Sequence, residues 1–168
     1  MLWIIIWPAI VLSNVLASWA YLYPDSFKQH FTQDQLILFW FSLNLGILIL
    51  YLVLCMKAKF NVKALWMSFP CIFMGIFLIG YTYCKLGITR TFFGAELGVV
   101  DEVKYEGFPF SLGHAQYKGF IILILGIWFA FGHTHELTAT TGFWIISFMI
   151  QMLIETGPDS VPPSPENS

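Results

Sequence analysis

Between Leu36 and Met56 the chain runs 21 residues without one charged side chain. Such a run has few destinations. A helix needs about 20 apolar residues to cross a bilayer, and this stretch supplies them. In hydrocarbon every backbone N–H and C=O must be paired internally, which leaves the α-helix as its conformation. The rest of the chain repeats the theme. Residues 2–22 form another apolar run, with Pro8 as a possible kink and Ser13 and Asn14 as polar interruptions that suit a tilted or partial insertion. Ala64 to Gly87 form a third, containing Pro70 and Gly75. Phe120 to Phe131 and Gly142 to Ile154 are each short for a full span. They read as a tight hairpin through "GHTHELTATT", or as a pair of which one is re-entrant. The expected fold is an all-α membrane protein, a bundle of about four transmembrane helices with an interfacial or re-entrant segment.

Composition agrees. Hydrophobic residues make up 58% of the 168 and charged residues only 11%, against about 25% charged in soluble domains. The length suits one membrane-embedded domain over residues 1–157, followed by a polar, proline-rich tail at 158–168 that reads as disordered. A net charge of -2 gives no basic field and argues against nucleic acid as a partner. Cys55, Cys71 and Cys84 lie in apolar runs without a CxxC or Cys/His pattern, so buried free thiols are expected rather than disulfides or a zinc site. The N-terminal run lacks a basic stretch before it and is read as retained, not as a cleaved signal. Nothing in the sequence sets an oligomeric state.

The loop "KAKFNVK" carries Lys57, Lys59 and Lys63 and no acid, the mark of a cytoplasmic loop. An even number of spans would then place both termini on that side. It would also put the start of residues 88–116 on the opposite face.

That later region is where the chain concentrates its charge. Seven of the 18 charged residues (8 basic plus 10 acidic) fall between 87 and 118: Arg90, Glu96, Asp101, Glu102, Lys104, Glu106 and Lys118. Asp101, Glu102 and Lys104 read as a solvated loop. In "LGITRTFFGAELG", Phe92, Phe93 and Leu97 share one helical side, so the segment is expected to lie in the headgroup layer, apolar side into lipid. A cation such as Arg90 held there is placed to meet a lipid phosphate.

The stretch "EGFPFSLGHAQYKGF" follows. Pro109 has a fixed φ and restricts Phe108 to extended geometry, making a rigid aromatic turn. Gly113 permits a tight approach to a helix that begins near His114. A helix start offers free N–H groups and a positive dipole end, which suits a carboxylate or other anion. His114, Gln116 and Tyr117 lie in that first turn. His114 reads equally as a hydrogen-bonded structural residue or as a catalyst. Glu155 closes the last apolar run, "WIISFMIQMLIETG", where an ionisable group is either functional or marks the water boundary.

Taken together, "TRTFFGAELG", "EGFPFSLGHAQYKGF" and "MLIETGP" resemble the phospholipid methyltransferase family, which methylates phosphatidylethanolamine and its partly methylated derivatives. The matching residues are Thr91, Phe92, Phe93, Gly94 and Gly98; Phe108, Pro109 and Phe110; His114, Gln116, Tyr117 and Gly119; and Glu155. They cover about residues 73–157, with order and spacing intact. Arg90 stands where the family usually has glycine, and Ala115 where it has proline.

The resemblance implies S-adenosyl-L-methionine-dependent transfer of methyl groups to a lipid headgroup amine, converting mono- and dimethylated phosphatidylethanolamine to phosphatidylcholine. It implies that Gly75, Gln116, Gly119 and Glu155 bind the cofactor. His114 would accept the amine proton, with Tyr117 beside it at the catalytic centre. Arg90 and Lys118 would hold the phosphate of the phospholipid substrate in the bilayer. No metal is implied. The location would be a multi-pass membrane protein, of the endoplasmic reticulum in a eukaryote. Two other readings stay open: an isoprenylcysteine carboxyl methyltransferase-like enzyme, and a non-enzymatic membrane scaffold with the same fold. Because the cofactor is cytoplasmic, either residues 88–116 dip back to the cytoplasmic side or the lysine loop misleads.

Overall fold

The computed structural model describes residues 2–101, 107–131 and 134–156. Glu102, Lys104, Glu106 and the tail at 158–168 lie outside the described residues. Among the described residues six α-helices follow one another: α1 (Trp3–Leu22), the short α2 (Pro24–Lys28), α3 (Gln33–Met56), α4 (Leu65–Thr91), α5 (Ala115–Ala130) and α6 (His135–Glu155). Single 3₁₀ turns at Val62–Ala64 and Phe110–Leu112 precede α4 and α5.

Local chemistry explains most boundaries. Thr32 starts α3 with a capping box: its hydroxyl accepts the Gln35 N–H, and the Gln35 side chain accepts the Thr32 N–H. Pro24 sits at the first position of α2, where its missing N–H costs nothing. Thr134 caps α6 by accepting the Leu137 N–H. Gly87, at φ 76° and ψ 159°, breaks the helical geometry near the end of α4, a backbone position that glycine adopts without steric cost.

The last two helices are longer than the hydrophobic runs suggested. α5 begins five residues before Phe120 and α6 seven before Gly142. The threonines of "HELTATT" resemble a loop, but Thr141 donates to the Leu137 carbonyl of its own helix at 2.8 Å, and the helix continues through them. Four helices, α1, α3, α4 with its preceding turn, and α6, are long and apolar enough to cross a bilayer. The 16-residue α5 is about 24 Å long at 1.5 Å per residue, short of a hydrocarbon core of about 30 Å.

Side-chain bonds give the direction of each helix. Trp7 meets Thr140, Asn14 meets Ser147 and Ser18 meets Gln151, at a constant separation of 133 residues. α1 and α6 therefore run parallel. α3 is antiparallel to both: Asn44 donates to Ser13 at 2.9 Å, and Tyr51 bonds Thr141 at 2.6 Å. α5 is antiparallel to α4, because Gly119 and Leu123 approach Gly75 while Gly126 approaches Ile72 and Cys71. The helices α1, α3, α4, α5 and α6 thus alternate in direction along the bundle. The start of α1 and the end of α6 lie at opposite ends of the bundle, not on one side.

The α4–α5 contact is the tightest. A Cβ on Gly75 would meet Leu123 Cβ at 2.7 Å and the Gly119 carbonyl oxygen at 2.8 Å, and one on Gly126 would meet the Ile72 nitrogen at 2.8 Å. Only glycine allows backbones this close, a means of helix association suited to a lipid environment. Ser68 adds a 2.7 Å bond to the Gly126 carbonyl. Elsewhere Ile6, Ile10, Ile47, Tyr51, Leu137 and Trp144 belong to one buried core among α1, α3 and α6. Outside, Leu38, Trp66, Phe69 and Leu153 are each more than 70% exposed, an apolar surface of the kind lipid covers. Cys55 is buried, but Cys84 is on this outer surface, contrary to the expectation for all three thiols.

A second core takes up the apolar side of the segment after α4. Phe93 and Leu97 are buried with Ala17, Ala20, Phe27 and Leu36. Phe92 packs against Trp40 at 4.9 Å between ring centres and against Phe41 at 5.3 Å. Gln33 locks the segment in place, donating to the carbonyls of Thr89 at 2.7 Å and Phe92 at 3.0 Å. The apolar side expected to enter lipid is instead a wall of the protein, because α2 and the ends of α1 and α3 offer it apolar partners.

Candidate functional site

At the end of the bundle where α1, α4 and α6 finish, α5 begins from an unusual backbone. Gly113 has φ 60° and ψ 136°, and His114, the residue before α5, is left-handed at φ 48° and ψ 43°. Histidine is tolerated there better than most residues, but the conformation still costs free energy. Its effect is to turn the imidazole toward the end of α6. His114 Nδ1 lies 3.4 Å from Glu155 Oε2, and His114 Nε2 lies 3.1 Å from the Thr156 hydroxyl.

Glu155 is the centre of the cluster. Its Oε1 accepts from the Tyr117 hydroxyl at 2.5 Å and from Gln151 Nε2 at 3.0 Å. Its backbone carbonyl accepts from the Tyr21 hydroxyl at 3.0 Å. Gln151 is itself held by the Ser18 hydroxyl, which donates to Oε1 at 3.0 Å. The Glu155 side chain is 13% exposed and that of His114 25%. Hydrogen bonds to a carboxylate are of the stronger, charge-assisted kind.

The residues expected at the site divide. His114, Tyr117 and Glu155 are brought together. Gln116 stands one step away and donates to the Tyr83 hydroxyl at 3.2 Å. Lys118 turns back and donates to the Leu112 carbonyl. Arg90 makes no described bond to the cluster, and its Nε is buried without a hydrogen-bond partner. Gly75 and Gly119 were expected to let a cofactor approach the backbone. They approach each other instead, and the volume a Cβ would occupy is filled by the facing helix. Their part is to bring α5 against α4. Ala115, where the resembled family has proline, is buried in the first turn of α5, and the helix starts at that residue without the proline.

Sequence reasoning missed Gln151, Ser18, Tyr21 and Thr156. Gln151 had a legible signal, since it stands one helical turn before Glu155 in an otherwise apolar run. Ser18 and Tyr21 had none, because only the parallel packing of α1 on α6 carries them there.

Among the described residues no group of three His, Cys, Asp or Glu is placed to hold a metal ion. Chemically the cluster joins an acceptor-rich carboxylate, an imidazole and a helix N-terminus without a side-chain cap. It can receive a cationic amine at the acid, an anionic group at the helix start, and a proton at the imidazole. The chain matches no protein-family model, no curated protein and no solved structure.

Proposed function

We propose that this protein is a membrane-embedded methyltransferase that uses S-adenosyl-L-methionine to methylate the amine of a phosphatidylethanolamine derivative, ending in phosphatidylcholine. The observation that carries the reading is the convergence of His114, Tyr117 and Glu155. These are three residues of the motifs that resemble phospholipid methyltransferases, drawn from two helices and met at one end of an apolar bundle.

The donor set suits the methyl donor. That molecule carries an ammonium and a carboxylate on one carbon, and the site sets a carboxylate at Glu155 beside the uncapped start of α5. Glu155 would hold the amino group, while Gln116 and the first N–H groups of α5 would hold the carboxylate. When bound, the cofactor supplies an electrophilic methyl group. The protein's own residues supply position and a proton acceptor. The attacking amine must be neutral, and His114 Nε2 would take its proton by exchanging the Thr156 hydroxyl for the substrate. Tyr117 fixes Glu155 and so the depth of the cofactor. Arg90, with its unpartnered Nε, is the candidate for the lipid phosphate. Lys118 would serve only after leaving the Leu112 carbonyl.

The end of the bundle that carries the cluster would face the cytoplasm, where the cofactor resides, and the membrane would be the endoplasmic reticulum in a eukaryote. Lysine counting does not oppose this. Lys28, Lys85, Arg90 and Lys118 stand on the site half of the bundle, against Lys57, Lys59 and Lys63 at the other end.

Purified protein supplied with methyl-labelled S-adenosyl-L-methionine and mono- or dimethylated phosphatidylethanolamine tests the proposal. Label is expected in phosphatidylcholine. Label appearing only on an isoprenylcysteine substrate would transfer the assignment to the carboxyl methyltransferases. Absence of label from every lipid, in protein that is folded, would leave a scaffold.

A further inference from the structure

Beneath the cluster lies a cavity of about 250 Å³ between α3, α4, α5 and α6. It exists because α3 packs on α1 and α6 while α4 packs on α5, so these two layers part between α3 and α4. Its inner wall is buried: Trp40, Ile124, Trp144 and Phe148 are each at most 6% exposed. Its outer rim is open, with Phe41 at 40% and Leu45 at 57% exposure on the outward side of α3. The lone amide in the lining, Asn44, donates to Ser13 and to the Trp40 carbonyl, each at 2.9 Å, and so is satisfied without a ligand. A cavity lined this way does not hold water.

Two residues of the cavity wall also touch residues of the polar cluster or its neighbour. Tyr83 lines the cavity and accepts the Gln116 bond. Phe148 lines it and packs against Tyr117 at 5.8 Å and against Phe120 at 5.5 Å. A molecule with a polar head at His114, Tyr117 and Glu155 would therefore have its apolar part directed into this space. At about 30 Å³ for a group of water or methylene size, the volume takes roughly eight such groups, a stretch of one chain rather than a whole lipid.

We propose that this cavity binds the upper part of one acyl chain of the lipid whose headgroup reaches the cluster, entering between α3 and α4 past Phe41 and Leu45. The assignment rests on the lipid-amine reading for the headgroup, but the chain site can be tested apart from turnover.

A phosphatidylcholine carrying a diazirine midway along one acyl chain is photolysed with the full-length protein in detergent, and the tagged residues are mapped. Tagging is expected at Leu48, Ile124 or Trp144, and Leu45→Trp, which fills the mouth from an exposed position, should reduce it at least fivefold. Tagging confined to outward residues such as Leu38, Phe69 and Phe73 would overturn the proposal. So would a farnesyl diazirine probe that labels the cavity where the diacyl probe does not.

With methyl transfer as readout, Leu45→Trp should raise KM at least fivefold for substrates with 16-carbon chains or longer. KM for a dibutanoyl analogue should stay within twofold. Equal effects on both would overturn the chain site while leaving the headgroup reaction intact. Absence of turnover with every lipid would count against the methyltransferase reading and leave the tagging result to decide the chain site.

Discussion

The Tyr117 hydroxyl donates a 2.5 Å hydrogen bond to Glu155 Oε1, tying the first turn of α5 to the last residue of α6. The two residues are 38 apart in the chain, and their helices are antiparallel neighbours. The bond therefore reports both the packing of the last two helices and the shape of the polar cluster.

Tyr117→Phe removes this bond and keeps the ring against Phe148. A hydrogen bond to a charged group contributes about 1.5–3 kcal/mol to stability, so the unfolding temperature in detergent should fall by several degrees, and kcat/KM for methyl transfer should fall about 10- to 100-fold as Glu155 loses its fixed position. Values within twofold of wild type would show that Glu155 does not depend on Tyr117.

His114→Gln tests the proton acceptor. General base catalysis contributes about 10²- to 10⁴-fold, and the loss should appear in kcat, with cofactor binding by calorimetry nearly unchanged. A rise in the cofactor Kd with kcat retained would make His114 a binding residue instead.

Gly75→Ala should destabilise the protein, because the new methyl meets Leu123 and the Gly119 carbonyl inside 3 Å. Overpacking of this kind costs about 1–3 kcal/mol. Gly80→Ala is the control. Its Cβ meets nothing within 4 Å, and replacing a mid-helix glycine by alanine stabilises by about 1 kcal/mol. Opposite shifts in thermal unfolding temperature are expected from the two neighbours on α4, and equal shifts would refute the tight α4–α5 contact.

Gln33→Leu leaves the carbonyls of Thr89 and Phe92 without their donor. Each buried acceptor left unpaired costs about 1–3 kcal/mol. Limited proteolysis should then cut within residues 87–101 faster than in wild type, and unchanged protection would remove Gln33 from the account of that segment.

The alternating directions of the helices predict sidedness. In a variant without its native cysteines, single cysteines at Ser26 and Lys59 should react with a membrane-impermeant thiol reagent from opposite sides of sealed vesicles. Reaction of both from one side would contradict the alternation of helices.

Part of this was legible before any tertiary contact was known. α3 was plain, since 21 uncharged residues leave a chain little choice. The start of α5 was legible as well, because Gly113 and the polar turn after it mark a break from which a helix begins. The threonines ahead of Gly142 misled, as their hydroxyls bond back into the helix and cost it little. The aromatic pair Phe92 and Phe93 misled for another reason. An apolar side wants to leave water, and sequence does not say whether lipid or protein receives it.

The sequence by itself determined that the chain is helical and apolar outside as well as in, because spans this long and this poor in charge have no other stable form. It also singled out His114, Tyr117 and Glu155 as candidate site residues. Only the tertiary structure decided that α1 lies parallel to α6, that Gln151 and Tyr21 bond Glu155 while Ser18 holds Gln151, and that Gly75 and Gly119 face each other across the α4–α5 contact. Local propensity and burial act on residues near in the chain, whereas these pairings come from which helix face finds which neighbour, a choice made by shape and by the few polar groups that must be bonded together.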